Sequence, residues 1–348
     1  MTKRTIQITV LIALVAMGAL PCFSQPSATL QNYFKQNLKL SQDQINSIRN
    51  GQPYAVALPS RTPDEIVVFG AVYINADPAS YVSYAYDFDR LRRTPGILAI
   101  NKLSSPPQLS DMKGFELDSA DVQSLKSCTS GNCAIQLPGR DIDALRKSVD
   151  FSAPNAADQV NQYLQNTAVS RLQLYQKEGG KALGAVYNDK KQQVSVFDQF
   201  QYILSYAKAM PQQVPAFYNY IVNYPGSGAA NLSSLFYWDN VKFGLKPTLR
   251  IVQVLMMKGT NPQEPAYAIA EKQLYSSHYF ETALDLTYCI SDSDNPKQPG
   301  FYLVTVMGSE QAGLTGFEGS IIRREAVSHT VSGTQQTLAT IKSALEHK

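Results

Sequence analysis

The feature that most constrains this fold is the carboxy-terminal stripe Val327, Val331, Thr334, Leu338, Ile341 and Leu345. Its steps of 4, 3, 4, 3 and 4 residues put all six side chains on one face of a single long helix. A helix with one apolar stripe cannot bury it alone, so this one requires a large apolar partner. Gly333 lies within the stripe and costs about 1 kcal/mol relative to alanine.

Strand-forming segments stand at both ends of the chain. Glu65–Ile74 is rich in β-branched residues and reads as a buried strand. Asp77-Pro78 then supplies an N-cap with proline at the first helical position, and Tyr81, Ala85 and Phe88 repeat at helical spacing. Arg92 and Arg93 suit the negative end of that helix, Thr94-Pro95-Gly96 stops it, and Ile97–Leu103 reads as a second strand. From Phe236 onward β character returns, with strands expected at Thr248–Met257, Ala266–Gln273, Phe280–Ile290 and Gly300–Met307.

Between these lies a block with helical period from Asp141 to about Leu235. It carries the faces Ile142, Leu145, Val149 and Val160, Leu164, Leu172, the latter broken at Gly179-Gly180. Two short helices near Leu30–Ile48 and a linker from Pro53 to Pro63 precede the first strand, and 104–140 is loop-rich. The expected fold is α+β: an antiparallel sheet gripping a long C-terminal helix, with a helical insertion. Its segments are 1–24 as a leader, 25–60 as short helices and linker, 61–140 and 236–348 as the sheet-and-helix domain, and 141–235 as the insertion.

The first residues read as an address. Lys3 and Arg4 precede an apolar run from Ile6 to Leu20, followed by Pro21, Cys22, Phe23 and Ser24 before polar Gln25. That is the form of a cleavable secretory signal peptide cut after Ser24; the run of about 15 residues is short of the roughly 20 a spanning helix needs. Lipidation at Cys22 is the rival, but Pro21 sits where a small residue is expected. The expected location is therefore the periplasm or the exterior, with no transmembrane segment after cleavage. Losing Lys3 and Arg4 lowers the formal charge of +3 by two, which leaves no basic footprint for nucleic acid. In an oxidising compartment, Cys128-Thr-Ser-Gly-Asn-Cys133 reads as a local disulfide across a turn. Zinc would need further Cys or His ligands that no cluster supplies, and Cys289 reads as a buried free thiol.

The segments Ile66–Arg93, Thr248–Met307 and Thr315–Glu346 together resemble the START-like helix-grip superfamily, which includes lipid-transfer domains, the birch-pollen-allergen group and aromatic polyketide cyclases. The resemblance covers about half of the mature chain and would make this a divergent exported bacterial relative. The block at 141–235 and the Cys128–Cys133 loop depart from the family pattern. The resemblance implies a curved sheet around the last helix, enclosing an apolar cavity for a lipid or aromatic ligand.

The densest polar cluster is Glu271-Lys-Gln-Leu-Tyr-Ser-Ser-His-Tyr-Phe-Glu281. If extended, it puts Lys272, Leu274, Ser276, His278 and Phe280 on one face, and Glu271, Tyr275, Ser277, Tyr279 and Glu281 on the other. His278 is the only histidine outside the final helix and so the first candidate for acid–base work, with Tyr275 or Glu271 completing a relay. The structural alternative is a strand or hairpin whose His and Tyr satisfy backbone groups. No Gly-x-Ser-x-Gly elbow or phosphate loop occurs, and Gly226-x-Gly228 lacks the third glycine of a dinucleotide fingerprint. Asp87–Asp89 reads as part of a helix, where residues two apart point in diverging directions, and Asp141–Asp143 and Asp292–Asp294 read as a helix start and a loop. Tyr202, Tyr206, Tyr218, Tyr220, Tyr224 and Tyr237 crowd the helical block and its exit, suiting either a cavity wall or a core boundary.

The favoured function is non-covalent binding of a hydrophobic small molecule or lipid in the cell envelope, with contacts from Trp238, Tyr275, His278 and Tyr279 and no cofactor or metal. A cyclase- or hydratase-type enzyme using His278 or Tyr275 is the second reading, and an envelope protein-interaction module the third. Both cavity readings require an enclosed apolar space of at least about 300 Å³.

Overall fold

The computed structural model describes residues 26–182, 186–187, 194–207, 214–226, 230–243, 246–292, 300–311 and 313–347. The leader at 1–24, the second half of Gly226-x-Gly228, Asp294 and the Tyr206 side chain lie outside the described residues. The chain opens with α1 (Pro26–Gln36) and α2 (Gln42–Arg49), then β1 (Tyr54–Ala57), β2 (Glu65–Ile74), α3 (Pro78–Ala85), α4 (Phe88–Leu91) and β3 (Ile97–Lys102). The middle holds α5 (Ser119–Leu125), α6 (Gly139–Ser148), α7 (Ala156–Glu178), the short ribbon β4 (Val186–Tyr187) and β5 (Val194–Ser195), α8 (Val196–Ala207) and α9 (Pro215–Asn223). Five long strands follow: β6 (Leu232–Phe243), β7 (Lys246–Lys258), β8 (Tyr267–Ser276), β9 (Phe280–Ser291) and β10 (Phe301–Gln311). The last element is α10 (Gly316–Glu346).

The protein is α+β. Eight strands form one antiparallel sheet in the order β1-β2-β10-β9-β8-β7-β6-β3, contacted by α10, with helices inserted mid-chain. β2 is buried over its whole length because both of its faces are covered. Val67, Phe69, Ala71 and Tyr73 join the core beneath the inserted helices, while Val72 and Ile74 join the core beneath α3 and α10. Gly70 sets the close approach of α10, since a Cβ there would lie 2.7 Å from Thr334 Cγ2 and 3.0 Å from Leu338 Cδ1.

The terminal stripe does form one helix, but its partner is the β1–β2 edge of the sheet rather than the sheet's middle. Thr334, Leu338 and Leu345 are buried, Val327, Val331 and Ile341 are half-buried, and Phe317, Ile321 and Ile322 at its start are exposed. The centre of that face is covered by α3 and α4 instead, through Tyr81, Tyr84, Tyr86 and Phe88. Three local readings change. The linker from Pro53 to Pro63 contains edge strand β1, and the loop-rich region contains α5. The helical block ends at Asn223, because Leu232–Phe243 pairs along its whole length with β7. Cys128 and Cys133 form the expected disulfide, Cα to Cα 4.6 Å, closing a turn bridged by Thr129 and Asn132. Cys289 is a buried free thiol.

Candidate functional site

β8 carries the chemistry of both sheet faces. Side chains alternate along a strand, so Glu271 and Lys272, adjacent in sequence, serve opposite layers. Lys272 faces the inserted helices, and Glu271 faces α3 and α4.

On the helical side, α6 and α7 span a partly open apolar cavity of about 70 Å³ against β7 and β8. Its floor is Ile251, Leu274 and Tyr275, and its walls are Phe115, Leu137, Leu164, Ala168, Leu172, Tyr175 and Val196. Among the described residues charge enters it only through Asp141 and Arg171, which pair with each other. The volume is well under the roughly 300 Å³ of enclosed space that the binding and the cavity-enzyme readings both require, though it exceeds the 10–15 Å³ or so that one water needs.

One rung along the sheet, Gln253 of β7 and Lys272 of β8 are direct cross-strand partners. Tyr175 reaches down from α7 between them: its hydroxyl donates to Gln253 Oε1 at 2.5 Å and accepts from Lys272 Nζ at 3.2 Å. Lys272 also donates to the Ile221 carbonyl at 2.9 Å, and its Nζ lies 4.9 Å from the centre of the Phe200 ring. No carboxylate meets this ammonium among the described residues. Burial without a counter-ion therefore pulls its pKa down to about 7. Tyr224 stacks on Tyr175, with Tyr220 and Phe236 beside them, so the crowded tyrosines of the helical block seal this lysine from water.

On the other face, Glu271 and Asp285 are direct cross-strand partners beneath α3 and α4. Tyr86 and Tyr237 donate hydroxyl hydrogen bonds to the two Glu271 oxygens at 2.8 and 3.3 Å. Arg250 grips Asp239 in a two-point pair at 2.9 and 2.6 Å. Burial raises the Glu271 pKa against the opposing pull of its tyrosine partners and Arg250. Burial, reinforced by the Glu271 charge, pushes Asp285 up to about 7. Asp285 stays half-buried, in line with half-buried Ala283 and Thr287 and beside half-buried Thr305 and Met307 of β10.

The four residues expected to contact a ligand do not share one site. Tyr275 lines the cavity, because a bulge between Ile251 and Val252 resets the alternation at Gln273–Tyr275 and turns Tyr275 away from Glu271. Trp238 is fully buried; its indole N–H donates to the Asp111 carbonyl at 2.8 Å, and its ring meets Phe115. Ser277–Tyr279 is the turn of the β8–β9 hairpin, with Tyr279 at φ +63° and its hydroxyl accepting from the Lys246 N–H at 2.8 Å. His278 Nε2 lies 2.7 Å from Asp121 Oδ2, and Lys246 Nζ lies 3.1 Å from Oδ1, so this cluster pins α5 to the hairpin. Burial opposes ionisation of Asp121, but hydrogen bonds from His278 and Lys246 outweigh it and hold its pKa low. Among the described residues no group of three His, Cys, Asp or Glu is placed to hold a metal ion.

Lys272, Gln253, Tyr175 and Asp285 carry the site chemistry and were not singled out by sequence. The available signal was charge inside strands: Lys272 between apolar neighbours two residues away, and Asp285 between Leu284 and Leu286. No known protein-family model matches the chain, and no curated protein matches it either.

Proposed function

We propose that this chain is an exported binding protein of helix-grip type that holds a small, largely apolar molecule without covalent chemistry. The observation that carries this reading is the aromatic-lined cavity between α7 and the β7–β8 floor, about 70 Å³ in volume. The cavity falls short of the roughly 300 Å³ that a binder requires, so a ligand has to widen it, and a single ring or a short branched chain demands less widening than a sterol or acyl chain. Its position also shifts the ligand from the space beside the terminal helix to the space beneath the insertion. Export rests on the signal-like leader and is supported by the Cys128–Cys133 disulfide.

Trp238, the single tryptophan, reports on the cavity because Phe115 lines the cavity and packs against the indole. Single-ring fragments such as phenylacetamide are expected to raise the melting temperature by mass action and to perturb Trp238 emission. Ala168→Phe, which fills the cavity, is expected to abolish both responses. A fragment panel that moves neither readout in the wild-type protein defeats this function.

A further inference from the structure

We propose that the ligand of the α7 cavity is an organic acid, its apolar body resting on Ile251, Leu274 and Tyr275 and its carboxylate completing Lys272 and Gln253. This deepens the binding function above and rests on it.

Three observations converge. Lys272 is 2% exposed and has three N–H donors, of which Tyr175 and the Ile221 carbonyl accept two. Its directly opposite partner Gln253 is fully buried, and its Nε2 has no acceptor among the described residues. Tyr175 belongs to both assemblies, its hydroxyl lying between Gln253 and Lys272 while the residue also lines the cavity. A buried polar group left without a partner costs roughly 1–3 kcal/mol, and an unpaired charge costs more. Here two donors and one positive charge are left incomplete side by side. A group presenting two acceptor oxygens and one negative charge satisfies all of them, and a carboxylate is the simplest such group.

The reach is short. Gln253 and Lys272 sit two residues from Ile251 and Leu274 on the same strands, about 7 Å along the sheet. Arg171, the cation that lines the cavity, is already paired with Asp141, whereas Lys272 meets no acid among the described residues. The groups facing the ammonium are the Tyr175 hydroxyl, the Phe200 ring, the Ile221 carbonyl and Gln253, with Leu284 beside it on β9. Among these only Tyr175 titrates, and burial raises its pKa well above the ordinary tyrosine value. Carboxylate binding at pH 8 therefore returns a proton to Lys272 itself.

The test compares phenylacetate with phenylacetamide, matched in shape and differing in charge, by calorimetry on the full mature chain and on Lys272→Met. The wild-type protein is expected to bind phenylacetate at least tenfold more tightly, with proton uptake at pH 8 read from buffers of different ionisation heat. Lys272→Met is expected to lose the tenfold preference, so that phenylacetate binds no more tightly than phenylacetamide, and its unfolding transition shows whether it folds. Equal binding of the two probes, or a preference that survives in Lys272→Met, overturns the acid assignment while leaving the cavity function standing. Failure of both probes to bind the wild-type protein overturns both.

Discussion

Glu271 and Lys272 are neighbours in one strand, yet the two layers they serve differ in sign, in cover and in access to water. The lysine side is sealed by helices α7, α8 and α9, and its one buried ammonium meets only a phenol, a carbonyl and rings. The glutamate side is covered by two short helices, gathers three carboxylates around one arginine, and leaves Asp285 half-buried. In each layer burial drives an ionisable group toward its neutral form, but from opposite directions: Lys272 falls to about 7 and Asp285 rises to about 7. One sheet thus separates an acceptor-poor site from an acceptor-rich one by the thickness of a backbone.

The sharpest way to break this contrast is at its largest electrostatic contact. Arg250→Met is expected to destabilise the protein by about 3–5 kcal/mol in urea unfolding, because Asp239 is left buried without its partner and beside Glu271. A loss under about 1 kcal/mol shows that the acidic layer is hydrated enough to need no arginine.

The next effect has the opposite sign. Lys272→Met is expected to stabilise the ligand-free protein at pH 7 by about 2–4 kcal/mol, since it removes an unpaired buried cation. The folded pKa near 7 lies below the unfolded value of roughly 10.4, so between them the unfolded chain holds a proton that the folded chain lacks. Wild-type stability therefore rises with pH from about 7 to about 10, and the advantage of the variant shrinks over the same range. Urea midpoints of both proteins across that range read this directly.

Asp285→Asn gives the smallest effect, about 1–2 kcal/mol of stabilisation at pH 7, because the residue is only half-buried. Here the folded pKa near 7 lies above the unfolded value of roughly 3.9, and wild-type stability falls as pH rises from about 4 to about 7. The variant should flatten that slope. Slopes of the same sign for Lys272 and Asp285 contradict the two-layer contrast.

Much of the fold is legible in the sequence because local patterns encode it. The N-cap at Asp77, the β-branched run of β2 and the heptad-like stripe of α10 each act within a few residues of themselves. The edge strand β1 was missed because four half-buried residues between prolines carry no period of their own. The site was less legible. The cluster at 271–281 was recognisable as chemistry-bearing, but one bulge at Gln273–Tyr275 exchanged the face of Tyr275, and the hairpin turn removed His278 and Tyr279 from the strand altogether.

By itself, then, the sequence determined most of the elements, the cysteine pair and the α+β class, since periodicity, capping and turn chemistry are short-range properties. Only the tertiary structure decided that α10 lies at the sheet edge and that the cavity forms beneath the insertion. It also decided that Gln253 meets Lys272 and that Glu271 meets Asp285. Those pairings join residues 14 to 19 positions apart through strand register, and Tyr175 enters from 97 positions before Lys272. Such contacts arise where packed surfaces and ladder hydrogen bonds fit together, and no local stretch of chain carries that information.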